Sequence, residues 1–155
     1  MEDTKVRLMD FEGNPNIGIY MFANNKFCLL GEEVKEEKKK EIETTLGVTV
    51  YNIKILETGL IGIFVCGNDE FIFVPEITNE KEEEELLKIC KEHNVQMITI
   101  RDKLNTLGNN ITVGSKKILI NPDYSTKTIN YIKRSTQYEV LKIKNQHYKA
   151  IGSTS

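Results

Sequence analysis

The chain has no tryptophan, only two histidines and only three cysteines among its 155 residues. Each scarcity closes off a class of function. Cys28, Cys66 and Cys90 are odd in number and have no CxxC spacing, so neither a disulfide framework nor a metal site is indicated; their apolar settings mark them as small buried hydrophobes in a reducing compartment. A cysteine nucleophile needs a base within reach, and neither His93 nor His147 has a loop cysteine beside it in the sequence pattern. No HExxH, phosphate-binding glycine loop or paired-carboxylate motif stands out, so no cofactor is expected. No run of eighteen apolar residues could cross a membrane. The start, Met1-Glu2-Asp3-Thr4-Lys5, lacks an apolar segment behind a basic head, which predicts no secretory signal and an intracellular, cytoplasmic chain.

What is present is a repeat. Gly18, Gly62, Gly108 and Gly152 each follow Ile or Leu and lie 44, 46 and 44 residues apart. A fixed period in this range marks one supersecondary unit copied and packed against its neighbours. In the first unit Ile17-Gly18-Ile19-Tyr20 leads to a turn at Asn24-Asn25 and then to Phe27-Cys28-Leu29-Leu30. In the second, Leu60-Ile61-Gly62-Ile63-Phe64-Val65 leads to Gly67-Asn68 and Phe71-Ile72-Phe73-Val74. In the third, Leu107-Gly108 precedes Ile111-Thr112-Val113, Gly114-Ser115 and Ile118-Leu119-Ile120. Short β-branched and aromatic runs joined by Asn and Gly read as hairpins, so each unit is expected to open with one.

A charged stretch follows each hairpin, from Glu32, Asn79 and Ser125 respectively. Val34, Ile42 and Leu46 recur at multiples of four, and Leu86, Ile89 and Cys90 fall at i, i+3 and i+4, which predicts one amphipathic helix per unit. Asn79 with Glu82, and Ser125 after Asn121-Pro122-Asp123, suit helix starts; Gly47 and Asn94 suit helix ends. A third strand is expected to close each unit, over 48–55, 95–101 and 138–143. The units thus read as ββαβ, about 14–56, 57–101 and 102–145, with a fourth starting at 146. The glutamates between the apolar positions are the solvated faces of these helices, supported by pairs such as Glu36 with Lys40.

The net charge of −2 conceals an asymmetry. Residues 1–100 carry 11 basic and 20 acidic side chains, net −9, and residues 101–155 carry 10 and 3, net +7. Lys116, Lys117, Lys133, Arg134, Lys142, Lys144 and Lys149 form the electrostatic footprint that meets phosphate, or else they balance the acidic helices of neighbouring units. The lack of tryptophan, RGG stretches or an RNP-type aromatic motif argues against a dedicated RNA module.

Several of these segments, taken together, carry a resemblance. Phe11-Glu12 with Asn16-Ile17-Gly18, Asn25-Lys26-Phe27-Cys28-Leu29, Ile61-Gly62 with Gly67-Asn68, Leu104 with Leu107-Gly108-Asn109, and Asn121-Pro122-Asp123 resemble the eukaryotic and archaeal translation initiation factor 6 family. The match keeps order and spacing from about Val6 to Gly152. It implies an α/β pentein-type propeller in which five ββαβ units circle an axis. The chain shows three complete units and a fourth starting, which points to a portion of a longer protein, since missing units would expose unpaired strand edges.

The resemblance further implies a non-enzymatic monomer that binds the large ribosomal subunit on its intersubunit face and sterically prevents joining with the small subunit. It also implies a part in late biogenesis and export of that subunit, with nucleus and nucleolus added to the cytoplasm if the source is eukaryotic. The partner would be a ribosomal protein beside the sarcin-ricin loop, with rRNA contact at the rim. By motif the binding residues would be Asn109 with Leu107 and Gly108, and the repeat nominates Asn16, Gly59, Leu60 and Lys103 near the openings of their units. The plainer readings are that loop asparagines complete turns and that Gly18, Gly62 and Gly108 let backbones approach near the axis. Ile63 stands where many family members have arginine, so a polar contact there is not expected. The alternatives are a guanidine-group hydrolase of the same fold, using a cysteine nucleophile, and an interaction module unrelated to ribosomes.

Overall fold

The computed structural model describes residues 6–31 and 33–143. Three copies of one unit follow each other. The first has a 3-10 turn (Ile17–Ile19), strands β1 (Met21–Ala23) and β2 (Phe27–Leu30), helix α1 (Glu36–Leu46) and β3 (Thr49–Asn52). The second has a helical turn α2 (Ile61–Phe64), β4 (Cys66–Gly67), β5 (Phe71–Pro75), α3 (Glu80–Glu92) and β6 (Gln96–Ile100). The third has α4 (Leu107–Asn110), β7 (Ile111–Val113), β8 (Lys117–Ile120), α5 (Thr126–Thr136) and β9 (Glu139–Lys142). Each unit makes its own three-stranded sheet, whose middle strand pairs antiparallel with the first and parallel with the third. This is a mixed α/β fold of small sheets. Among the described residues no sheet closes on itself. The expected fourth unit, Gly152, and Lys144, His147 and Lys149 lie outside the described residues.

Local chemistry explains the elements. The Asn24 side-chain oxygen accepts from the amides of Lys26 and Phe27, and that of Asn68 accepts from Glu70 and Phe71, so each asparagine turns its own hairpin. Asn79 and Glu82 form a reciprocal capping box on α3, and Ser125 accepts from Thr128 at the start of α5. Helix α1 has Lys35 at its N-cap with no side-chain capping bond and Gly47 at its C-cap, in the left-handed conformation that glycine accepts without strain.

The core lies both within units and between them. Cys28 and Leu30 on β2 pack with Ile42 of α1, whereas Phe27 and Leu29 on the same strand pack with Leu86, Ile89 and Cys90 of the next unit's helix. On β5, Ile72 and Val74 face α3, and Phe71 and Phe73 join Ile129 and Ile132 of α5. Both faces of these middle strands are covered, which is why they read as unbroken apolar runs rather than as alternating ones. The hairpin turns also join hands across units: Asn24 donates to the Asn68 carbonyl, and Asn68 donates to the Gly114 carbonyl and the Tyr138 hydroxyl.

One expectation is corrected. The landmark glycines do not lie in the first strands of the hairpins but in single helical turns that precede them, and β4 is reduced to Cys66–Gly67. The Tyr20 amide reaches the Ile17 carbonyl at 3.0 Å and the Val65 amide reaches that of Ile61 at 2.8 Å. A short apolar run does not distinguish strand from helix by periodicity. The third strands form where expected and are shorter at both ends.

Candidate functional site

The residues nominated from the sequence gather at one end of the molecule. In each unit the middle and third strands run toward that end, and the loop leaving the third strand enters the next unit there. These entry loops cover residues 53–60 and 101–106, and residues 9–16 form the corresponding stretch ahead of the first unit. The bridge Phe11 with Asn14 recurs as Ile55 with Thr58, 44 positions later.

The entry turns stack on one another through glycine. A Cβ built on Gly62 would overlap the Gly18 carbonyl oxygen, and one built on Gly108 would overlap that of Gly62. Gly31 likewise meets the Gly59 backbone. The reading of Gly18, Gly62 and Gly108 as points of backbone approach is therefore the geometry observed. Gly18 itself has open space where its Cβ would go.

The other nominated residues sort by exposure. Asn16 and Lys103 are exposed, and Gly59, Leu60, Gly108 and Asn109 are half-buried. Leu107 is a correction. It is 0 % exposed, part of the core beneath α5, so its side chain holds the turn in place and presents nothing to a partner. Asn16, Leu60 and Thr106 are true repeat mates: each precedes a helical turn with φ between −80° and −86°. Asn109 falls instead at the place held by Ile19 and Ile63, so the third turn carries an amide where the first two carry isoleucine.

Two carboxylates that the sequence does not single out as site residues fix these loops. Glu82, on α3, accepts from the amides of Leu56 and Glu57 at 2.9 and 2.8 Å. Asp102, in the loop itself, accepts from Ser125, from Leu104 and from the Thr128 hydroxyl, the last at 2.6 Å. Burial pulls the Asp102 carboxyl upward, yet the Thr128 hydroxyl and the backbone amides together hold it below its ordinary value. Asn110 donates to Thr106 and accepts from the Asn121 side chain, which locks the far side of the Asn109 turn. The only sequence trace of these roles is the capping-box glutamate, legible for the helix but not for the loop it reaches.

Of the basic residues, Lys116 is engaged by Glu70 at 3.1 Å and Lys117 by Glu139 at 3.3 Å, so these two balance acidic neighbours. Nucleophilic chemistry is poorly served. Burial pushes the Cys28 thiol up to about 12 and that of Cys90 to about 11, and it raises Cys66 as well, whereas a nucleophilic cysteine needs its thiolate near neutral pH. The His93 ring bonds the Tyr51 hydroxyl at 2.8 Å and packs against Phe27, as a contact between units rather than a base.

Comparison with solved structures shows the fold. The dimethylarginine dimethylaminohydrolase of Pseudomonas aeruginosa matches with a TM-score of 0.54 at 13% identity, over 89% of this chain and 56% of that one. The agmatine deiminase of C. jejuni matches with a TM-score of 0.57 at 9% identity, over 87% of this chain and 53% of that one. Both are pentein-fold enzymes; at such identity the likeness concerns architecture alone. Sequence relatives point elsewhere. A translation initiation factor 6 of Staphylothermus marinus is 35% identical over 88% of this chain and 60% of its own length. One of Hyperthermus butylicus is 36% identical over 67% of this chain and 46% of its own length, and one of Saccharolobus solfataricus 31% over 84% and 57%. The chain thus spans about half to 60% of the length of these relatives. They are named for translation initiation, not for catalysis. The model of the eIF-6 family matches residues 6–155, and the chain belongs to that family.

Proposed function

We propose that this chain binds the large ribosomal subunit through its glycine-stacked end and prevents joining of the small subunit by occupying the intersubunit face. The observation that supports this most directly is the entry-turn stack. Backbone-to-backbone contact at Gly18, Gly62 and Gly108 leaves a low, rigid surface, and on it Asn109 replaces the isoleucine of the other two turns. Such a surface needs no chemistry, only contacts that outweigh the ordering cost of docking, and its loops are already ordered by Glu82 and Asp102. Asn109, Gly108 and Lys103 would contact the partner, with Asn16, Gly59 and Leu60 extending the same surface. Leu107 supports them from below.

The partner is a ribosomal protein beside the sarcin-ricin loop, with rRNA at the rim. A place in late maturation and export of the subunit goes with this reading, as does a monomer in the cytoplasm, and in nucleus and nucleolus for a eukaryotic source. On this reading the three units are part of a pentein-type propeller; the chain spans 60% of the length of the Staphylothermus marinus relative.

Co-sedimentation with isolated large and small subunits tests this. The expected result is selective binding to the large subunit, loss of subunit joining, and clear weakening in Asn109→Ser. If the folded protein pellets with neither subunit, or equally with both, the reading is wrong.

A further inference from the structure

The two junctions between units each carry a cleft, built from equivalent positions. Register and helix caps fix the correspondence: Leu30 pairs with Asn52 as Val74 pairs with Thr99, and Asn79 caps α3 as Ser125 caps α5. Lys54 therefore matches Arg101, Lys81 matches Lys127, Glu82 matches Thr128 and Glu85 matches Tyr131. The first cleft, of about 280 Å³, is lined by Lys54 and Lys81 together with Glu33, Glu82 and Glu85. The second, of about 340 Å³, is lined by Thr99, Arg101, Lys127, Thr128, Tyr131 and Arg134. The same architecture thus goes from three carboxylates against two cations to three cations with no carboxylate in its lining.

We propose that the cleft between β6 and α5 binds single-stranded RNA, with Arg101, Lys127 and Arg134 on backbone phosphates and an unpaired base stacked on Tyr131. The substitution pattern carries this. Where the first junction places Glu85, the second places an aromatic residue, Tyr131, that is 39% exposed. A flat ring among cations is the arrangement that takes a base and its phosphates together, since stacking is tolerant of base identity and guanidinium groups grip phosphate with two donors. An acidic peptide would use the cations and leave the ring idle. A duplex would hide its bases from the ring.

Three carboxylates border the lining, Glu76, Glu83 and Asp102, each bonded to a lining residue. Glu76 pairs with Arg101 at 3.0 Å, but both are exposed, with side chains 53 and 78% accessible, and such pairs are weak and screened by salt, so a phosphate can displace the glutamate. Glu83 accepts from the Thr99 hydroxyl. Thr128 is committed to Asp102 and is not a ligand. Lys103, two residues beyond Arg101, links the cleft to the glycine-stacked end, so a strand held here would lie at the rim of the surface described above.

The inference takes the biological source of the RNA from the ribosome-binding reading, but binding itself is independent of it. The test uses the purified chain and a fluorescent twelve-nucleotide RNA of mixed sequence, followed by anisotropy without ribosomes. Saturable binding that weakens with salt is expected. Tyr131→Phe should keep it, because the ring suffices, while Tyr131→Glu, the residue of the equivalent position, should weaken it about tenfold or more. Arg134→Gln should weaken it several-fold and lower the salt slope by about one. Lys40→Glu, a charge change on α1 twice that of either variant, should leave it unchanged. The proposal is overturned if wild-type protein does not bind, if Lys40→Glu weakens binding as much as Tyr131→Glu, or if duplex RNA or a poly-glutamate peptide binds as well as the single strand. Failure here with intact co-sedimentation would remove the RNA site and leave the ribosomal reading standing.

Discussion

The loop entering the second unit and the loop entering the third hold the same place by opposite means. At the first junction the carboxylate belongs to the helix: Glu82 reaches from α3 to the amides of Leu56 and Glu57. At the second it belongs to the loop: Asp102 reaches to the Ser125 amide and the Thr128 hydroxyl at the start of α5. The backbones differ to match. Leu56 and Glu57 sit at φ of 53° and 59°, repeating Glu12 and Gly13 at 52° and 83°, while no residue of 101–106 has positive φ. A tight left-handed turn offers its amides outward to a helix carboxylate. An ordinary turn lacks that display, so its own side chain supplies the acceptor. What must be kept is one carboxyl acceptor joining loop to helix, not the residue that bears it.

The largest effect should come from what the two junctions share. Gly62→Ala and Gly108→Ala each force a methyl group into a neighbouring carbonyl, and each should cost about 3 kcal/mol in urea unfolding, the upper end for overpacking. Gly18→Ala, with open space at its Cβ, should cost almost nothing. Equal tolerance at all three positions would show that the stack is not a close contact.

Removing the carboxylates separates the junctions. Glu82→Ala leaves the Leu56 and Glu57 amides without their acceptor in a part-buried setting, and should cost about 1–3 kcal/mol. Asp102→Ala, at a more solvated site, should cost about 1 kcal/mol. The acid side distinguishes them further. The folded Asp102 carboxyl lies below its unfolded value of about 3.9, so its contribution is complete above that pH and fades as pH falls through the folded value. The gap in stability between wild type and Asp102→Asn should therefore be constant near neutrality and narrow only below about pH 4. A gap that narrows near pH 6 would sink the assignment.

The smallest effect concerns backbone alone. Glu57→Gly should stabilise by up to ~1 kcal/mol by relieving a left-handed non-glycine residue. Asn105→Gly, where the backbone has no such residue, should gain nothing.

Much of this architecture is written in the sequence because each signal is local. Asn24 and Asn68 turn their hairpins with their own side chains, Asn79 and Ser125 cap their helices, and Gly47 ends one. The repeat period even forecasts distant bonds, since Asn24 meets Asn68 at a separation of 44. What stays hidden depends on the neighbouring unit. Ile61-Gly62-Ile63-Phe64 coils into a turn whose backbone meets that of the preceding unit at Gly62, and Leu107 is taken from the surface by a core that α5 completes. The cleft at Tyr131 is invisible until β6 and α5 are placed side by side; in the sequence its residues are scattered from Thr99 to Arg134.

The glycine stack also has a mechanical meaning. Because successive units touch there through main chain, with no flexible side chain between them, the contact acts as a fulcrum whose spacing cannot adjust. A methyl-sized wedge at the fulcrum would therefore have to be answered by a rotation of one whole unit, helix included, against the next. The pitch between units is therefore set by two main-chain contacts, Gly62 against the Gly18 carbonyl and Gly108 against that of Gly62.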